Sequence, residues 1–373
     1  MSPHATLEPI QIKPGTSPKL SLAMIVKDEE AIIERVLACA KNVCDELIVV
    51  DTGSNDRTVE LAQRAGARVL HFDWIEDFAA ARNFAFDHCT GEWILWLDAD
   101  DILDPTAQQQ LHQLKDQLND HLDGIFLDYQ ITFDPHDCCT FSTLRERLIR
   151  RDANLRWEYP IHECIALPAG RSKEMPEISV QHRPLPEKQA GKVNRNLNIL
   201  RAVVEWGDRR PRNLFYLANE LKDHGRFQEA VEVYEEYLTV SDLPWEKYWA
   251  LFCLIRCYYQ LGESEKARHF ALQAVLLDSQ RAEGYIQLGL YHYDRREWAR
   301  AAPYFQLAVG LEKPTQGFSQ AEAYSWLPQD YLSVCYANQG RYSESIRTAL
   351  DVLPVNPHKQ RLIQNLHWMI DRL

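Results

Sequence analysis

The sequence predicts two unlike parts: an α/β domain with a mixed, mostly parallel sheet, and after it an all-α repeat solenoid. Three observations carry this reading. Short apolar runs alternate with amphipathic helical segments from Leu20 to Leu97, the pattern of strands covered on both faces by helices. Polar clusters rich in Asp and Glu follow several of those runs. From Asn194 onward the strand patterns vanish, and helical periodicity with an internal repeat replaces them.

Composition sets the outer limits. The 373 residues are 46% hydrophobic and include ten Trp and sixteen Tyr, so two domains with large cores are expected. A formal net charge of -13 with no long basic stripe argues against nucleic-acid binding, which relies on many Lys and Arg contacts to phosphates. The nine cysteines contain no CxxC pair, which suits reduced thiols and a cytoplasmic location. No apolar run has the form of a signal peptide or the length to cross a bilayer, so no integral membrane segment is expected.

Residues 1–18, rich in Pro, Ser and Thr, read as a flexible tail. Leu20–Val26 is a strand, followed at once by Lys27-Asp28-Glu29-Glu30 and a helix reaching about Lys41. Leu47–Val50 is a second strand that ends in Asp51-Thr52-Gly53-Ser54-Asn55-Asp56. Gly53 permits a tight turn there, and Ser54, Asn55 or Asp56 suits the cap of a helix running to Arg64. A third strand, Ala67–Phe72, precedes a helix over Phe78–His88 that carries Arg82. The fourth strand, Trp93–Leu97, ends in Asp98-Ala99-Asp100-Asp101. Ligands of open α/β sheets sit beyond the carboxyl ends of the strands, so the clusters at 27–30, 51–56 and 98–101 are expected to meet in one crevice.

Three carboxylates this close repel one another unless solvent or a divalent cation separates them. Taken alone, the cluster reads equally as a metal site or as an acidic turn before a helix capped by Asp104 with Pro105 at its first position. Arg82 is a candidate phosphate partner, because a guanidinium matches phosphate oxygens in a bidentate way; a surface helix arginine is the plainer reading. A helix from about Thr106 to Asn119 leads to strands at Gly124–Phe133 and Leu144–Arg151, the latter within a small basic cluster of Arg145, Arg147, Arg150, Arg151 and Arg156. The stretch Trp157–Glu163 gathers Glu158, His162 and Glu163. Beside a carboxylate-metal site, Glu163 becomes a candidate general base, and His182 is a candidate metal ligand together with Asp100.

The C-terminal half aligns on GRF (225–227), GES (262–264), REW (296–298) and GRY (340–342). Each triplet precedes a small residue three positions on, Ala230, Ala267, Ala301 and Ser345, and these are spaced by 37, 34 and 44 residues. The spacing is close to the period of about 34 of tetratricopeptide repeats, with an insertion at Lys313–Ser325 in the longest interval. Stacked repeats need a terminal cap, which Pro357–Leu373 supplies.

The motifs MIVKDEE (24–30), VVDTGSNDRT (49–58), ARNFAF (81–86) and WILWLDADD (93–101), in this order, resemble those of family 2 glycosyltransferases with the GT-A fold. RLIRR (147–151), PIHE (160–163) and the repeats that follow are similar to the branch fused to tetratricopeptide repeats, which includes lipopolysaccharide-core glucosyltransferases and bacteriocin peptide S-glycosyltransferases. The resemblance implies a GT-A nucleotide-sugar-binding domain over 19–190 and a repeat domain with a capping helix over 191–373. It implies that Val26, Lys27 and Glu29 border the nucleotide, that Asp51 lines its pocket, and that Arg82 approaches the diphosphate. Asp98 and Asp100 match the acids of the DxD motif, with Asp100 on a divalent metal ion, Mg²⁺ or Mn²⁺. Glu163 is the first choice for the catalytic base and Glu158 the second. Thr52 stands where many members carry a second acid, so the base of the expected UDP-sugar donor is held by fewer charges. The implied reaction is metal-dependent inverting transfer to a peptide or protein acceptor; the alternatives are a lipopolysaccharide-core or other glycan acceptor, or an inactive repeat scaffold. The repeats suit an acceptor contact or a homodimer, and the lack of a basic amphipathic helix favours a polypeptide over a membrane-bound acceptor.

Overall fold

A computed structural model describes residues 19–118, 120–134, 137–185, 194–314 and 317–372; the tail expected over 1–18 lies outside them. The chain divides into two units, Met1–Ile199 and Leu200–Leu373.

Unit 1 runs β1 (Leu20–Val26), α1 (Ile33–Lys41), β2 (Glu46–Asp51), α2 (Thr58–Arg64), β3 (Arg68–His71), α3 (Phe78–Asp87), β4 (Trp93–Trp96), β5 (Asp101–Ile102), α4 (Pro105–Lys115), β6 (Gly124–Phe133), β7 (Cys139–Arg150), β8 (Trp157–Glu158), β9 (Cys164–Ile165) and β10 (Ser172–His182). One eight-stranded sheet has the order β3-β2-β1-β4-β7-β6-β10-β5, and β8 and β9 form a separate hairpin. The sheet is mixed: β1–β2, β1–β4, β2–β3 and β6–β10 are parallel, while β4–β7, β6–β7 and β5–β10 are antiparallel.

The unbroken apolar runs exist because both sheet faces are covered. Leu20, Leu22 and Met24 of β1 pack with Ile33, Val36 and Leu37 of α1 and Leu111 of α4. The alternate residue Ala23 joins Ile48, Val50 and Ile94 against Ala85 and Phe86 of α3. Trimming one such residue, Leu95→Ala for example, costs about 2–5 kcal/mol through lost burial and the cavity left behind. The N-termini of two helices are fixed by side chains: Asp77 accepts from the Ala80 N–H and Asp104 from the Ala107 N–H, with Pro105 at the first position of α4.

Two features go beyond the sequence reading. β10 begins at Ser172, well before Ile178, and its last residues pair with the two-residue β5, His182 opposite Asp101. β7 starts at Cys139, five residues before the expected strand, where its side chains are exposed and carry no apolar alternation.

α5 (Arg195–Glu205) spans the boundary between the units. Unit 2 is built from helix pairs α6 (Pro211–Asp223) and α7 (Phe227–Val240), α8 (Pro244–Gln260) and α9 (Ser264–Leu277), α10 (Ala282–Asp294) and α11 (Trp298–Ala308), and α12 (Leu327–Asn338) and α13 (Tyr342–Val352), closed by α14 (Lys359–Ile370). The first residue of each triplet takes the left-handed turn between the helices of a pair, at φ 70°, 76° and 74° for Gly225, Gly262 and Gly340 and 58° for Arg296. The small residues Ala230, Ala267, Ala301 and Ser345 are all fully buried. Leu362, Leu366 and Met369 of α14 cover Ala349 and Val352 of α13. Among the described residues no helix is long and apolar enough to cross a membrane.

Candidate functional site

A cavity of about 400 Å³ opens at the carboxyl ends of β1 and β4. Val26, Lys27, Glu29, Arg82, Asp98, Asp100, Glu163 and His182 line it, as do His162 and Thr52. Asp51 does not. Its carboxylate turns under the following loop and accepts from the Gly53 N–H at 3.2 Å and the Ser54 N–H at 3.1 Å. Thr52 takes its place on the wall, with its hydroxyl donating to the Val26 carbonyl at 3.1 Å. The loops after β1 and β2 are tied together by side chains: Ser54 Oγ accepts from the Asp28 N–H at 2.9 Å, and Asp28 accepts from the Asn55 N–H at 2.7 Å.

Arg82 is the centre of one side. Its Nε donates to Glu163 at 2.6 Å and its Nη2 to Asp98 at 2.7 Å, while the guanidinium lies 4.7 Å from the centre of the Trp96 ring and 5.1 Å from that of Trp157. Burial works against its charge, but Asp98 and Glu163 outweigh burial and hold Arg82 firmly cationic. Burial likewise opposes an ionised Asp98, and Arg82 with Arg147 reverses this, leaving its carboxyl well below the usual carboxylate range. Glu163 reaches Arg82 because α3 fastens the loop that carries it. Asn83 Nδ2 donates to the Trp157 carbonyl at 3.0 Å, the Trp157 N–H donates to Asn83 at 2.9 Å, and the Phe78 N–H to the Pro160 carbonyl at 2.8 Å. Tyr159 and His162 in this loop have φ 72° and 53°, a conformation costly for side-chain-bearing residues and tolerated where the surroundings impose it. Glu158, on β8, is exposed and not part of the wall.

On the other side Arg147 and Asp101 form an ion pair with no solvent access, Nη1 to Oδ2 2.9 Å. The Arg147 guanidinium packs 3.9 Å from the Trp96 ring centre and 4.3 Å from that of Tyr129. The pairing of β5 with β10 brings His182 Nδ1 to 3.6 Å from Asp100 and 3.8 Å from Asp101. Burial lowers the His182 imidazolium's pKa, but Asp101 and Asp100 raise it further, so the net shift is upward.

Asp100, Asp101 and His182 each offer one ligand atom, all within 4.8 Å of one another. Asp101 Oδ1 and His182 Nδ1 are buried without a hydrogen-bond partner among the described residues. An unfilled buried polar atom costs about 1–3 kcal/mol, so a carboxylate oxygen and an imidazole nitrogen left unfilled beside the Asp100 carboxylate fit a divalent cation. Oxygen donors with one imidazole suit Mg²⁺ or Mn²⁺.

The sequence reading included Asp101 in the three-carboxylate cluster but singled out Asp100 alone among those acids as the metal contact, and it missed Trp96, Tyr129, Arg145, Arg147, Arg195 and Asn196 as cavity residues. For Arg145 and Arg147 a signal existed: two arginines at period two, entering an otherwise buried strand, put both on one face. Trp96 and Tyr129 look like ordinary strand aromatics until the arginines are placed against them.

Residues 21–175 match the family model described as Glycosyl transferase family 2. The chain is 39% identical over 160 residues to the TPR repeat-containing protein Synpcc7942_0270 of Synechococcus elongatus, covering 39% of this chain and 35% of that one. It is 32% identical over 149 residues to the uncharacterized glycosyltransferase RT0209 of Rickettsia typhi, covering 40% and 46%. It is 24% identical over 227 residues to the SPbeta prophage-derived glycosyltransferase SunS of Bacillus subtilis, covering 58% and 52%. The matches thus span about a third to a half of the length of these curated relatives. Unit 1 contains the region that matches family 2 glycosyl transferases, and the helix pairs of unit 2 follow it.

Proposed function

We propose that this chain is a cytoplasmic, metal-dependent, inverting glycosyltransferase that moves a sugar from a UDP-sugar to a peptide or protein acceptor. The observation that carries the reading is the cavity itself, where the Asp98–Arg82–Glu163 row faces the Asp100, Asp101 and His182 cluster at the strand ends. The family 2 match and the relatives named as glycosyltransferases support it.

In this mechanism Glu163 takes the proton of the acceptor nucleophile as that atom attacks the anomeric carbon from the face opposite the diphosphate. The bond from the anomeric carbon to the diphosphate oxygen breaks through a transition state of oxocarbenium character. Arg82, fixed by two carboxylates, presents its remaining N–H groups to the departing diphosphate, and Lys27 adds a second cation. Val26, Thr52 and Glu29 border the nucleotide. A divalent cation held by Asp100 and His182, with Asp101 beside them, would act as a Lewis acid that offsets the charge on the leaving nucleoside diphosphate. The helical repeats support a polypeptide acceptor.

The test is release of UDP from a panel of UDP-sugars by the purified protein, with Mn²⁺ or with EDTA. Release with Mn²⁺ that stops with EDTA is expected. A folded protein that neither binds nor turns over any donor refutes the proposal.

A further inference from the structure

In unit 2 a segment of the chain packs into an aromatic trench formed by the chain's own helices. Between α11 and α12 the segment at 317–324 lies along the first helices of the preceding pairs. The Phe318 ring stacks on Phe215 of α6 at a centroid distance of 6.1 Å and lies 6.0 and 5.6 Å from Trp245 and Trp249 of α8. Gly317, at φ 79°, approaches Trp245 so closely that a Cβ would stand 2.8 Å from the indole.

Two buried charged residues at the start of α10 hold the segment's main chain. The Arg281 guanidinium donates to the Phe318 carbonyl. Glu283 accepts from the Gln320 N–H at 3.0 Å and from the Tyr324 hydroxyl at 2.6 Å. Arg281 and Glu283 are only 2% and 0% exposed. Burying an ion pair is unfavourable unless its remaining donors and acceptors are filled, and here the segment supplies three of those partners, the Phe318 carbonyl, the Gln320 N–H and the Tyr324 hydroxyl. The groups it offers are general ones: the carbonyl of one residue, the N–H of the next but one, and an aromatic ring. Gln320 is extended, at φ -89° and ψ 115°. Hydrogen bonds to main chain with a pocket for one side chain are how extended peptides are recognised. The Phe318 ring remains 43% exposed, so its anchor is not sealed.

We propose that the aromatic trench of Phe215, Trp245 and Trp249, with Arg281 and Glu283 beside it, binds an extended peptide segment bearing an aromatic side chain, and that residues 317–320 are a resident competitor for it. A tethered competitor acts at an effective concentration on the order of millimolar, so an outside peptide binds well only when the resident anchor is weakened. This is a statement about binding and needs no sugar donor, so it stands or falls separately from glycosyl transfer.

The test uses the full chain and a fluorescein-labelled peptide of residues 317–324, GFSQAEAY, read by fluorescence anisotropy. Phe318→Ala protein, with its fold confirmed by circular dichroism, is expected to bind the peptide at least ~10-fold more tightly than the unaltered chain, as release of a tethered competitor requires. Adding Trp249→Ala to that variant, or replacing the peptide's own Phe by Ala, is expected to abolish binding. Gln320→Pro, which removes the N–H that Glu283 accepts, gives a second route to the same release if Phe318→Ala does not fold. Folded variants that bind neither peptide, or both alike, overturn the proposal, as does an unaltered chain that binds as tightly as the variants.

Discussion

Arg82 and Arg147 lie on the same Trp96 ring and both hold Asp residues of the run 98–101, yet they are set up for different work. Arg147 forms an ion pair with one carboxylate among the described residues, that of Asp101, and neither side chain reaches solvent. Arg82 is held from two sides at the cavity wall, by an Asp98 side chain that is one-third exposed and by Glu163. A sealed pair fixes the backbone of the acidic run and aims the second Asp101 oxygen toward His182. The open one can exchange partners with a ligand. Accessibility, more than residue type, separates the sealed arginine from the one open to a ligand.

Four experiments break or sharpen that contrast. The largest effect is expected from Glu163→Gln, which keeps the hydrogen-bonding shape but not the base: transfer falls by ~10²–10⁴-fold, while calorimetric UDP affinity stays within a few-fold. Glu158→Gln serves as its control, and a loss there instead would move the base to β8.

Next, Arg147→Met leaves the Asp101 charge buried and unpaired, at a cost of about 3–5 kcal/mol in denaturant unfolding. Adding Asp101→Asn should return part of that loss. A single variant as stable as the unaltered protein would show that the pair is not the clamp described.

Arg82→Lys keeps the charge and loses the fork. About 10²-fold in kcat/KM is expected, the scale of one misplaced electrostatic donor, with little change in the unfolding midpoint. An equal fall in stability and activity would erase the distinction from Arg147.

The smallest effect belongs to a third clasp, remote from the cavity, in which Arg171 and Arg150 both donate to Asp123. These hydrogen bonds, Arg171's first, hold the Asp123 carboxyl down at about 2. The folded value lies below the ~3.9 of an unfolded Asp. The stabilisation is therefore complete above about pH 4 and is lost as the pH falls toward 2. Asp123→Asn should cost about 2 kcal/mol at neutral pH, flatten that part of the acid-unfolding curve, and leave donor turnover unchanged.

Much of this architecture was legible in the chain. The runs at Leu20–Val26 and Trp93–Trp96 identify themselves because strands covered on both faces have no polar alternation. The left-handed Gly225, Gly262 and Gly340 and the buried small residues mark the helix pairs, since both constraints are local. What the chain concealed was pairing at a distance. Nothing near Asp101 in sequence shows that it lies opposite His182, or that Arg147 approaches from β7 to neutralise it. Asp51 stands off the cavity wall for a related reason: a strand-end acid predicts proximity to the crevice, but the turn N–H groups of Gly53 and Ser54 engage its carboxylate.

The central claim is that the Asp98–Asp101 run anchors a nucleoside diphosphate together with a divalent cation. Calorimetric titration of UDP into the protein, with and without Mn²⁺, tests it most directly, alongside the Asp100→Ala variant. UDP is expected to bind the unaltered protein with Mn²⁺ present, and to lose at least ~10-fold in affinity when either Mn²⁺ or the Asp100 carboxylate, the ligand proposed for such an ion, is removed. Equal UDP affinity in all three cases, or none in a folded protein supplied with Mn²⁺, would contradict the assignment.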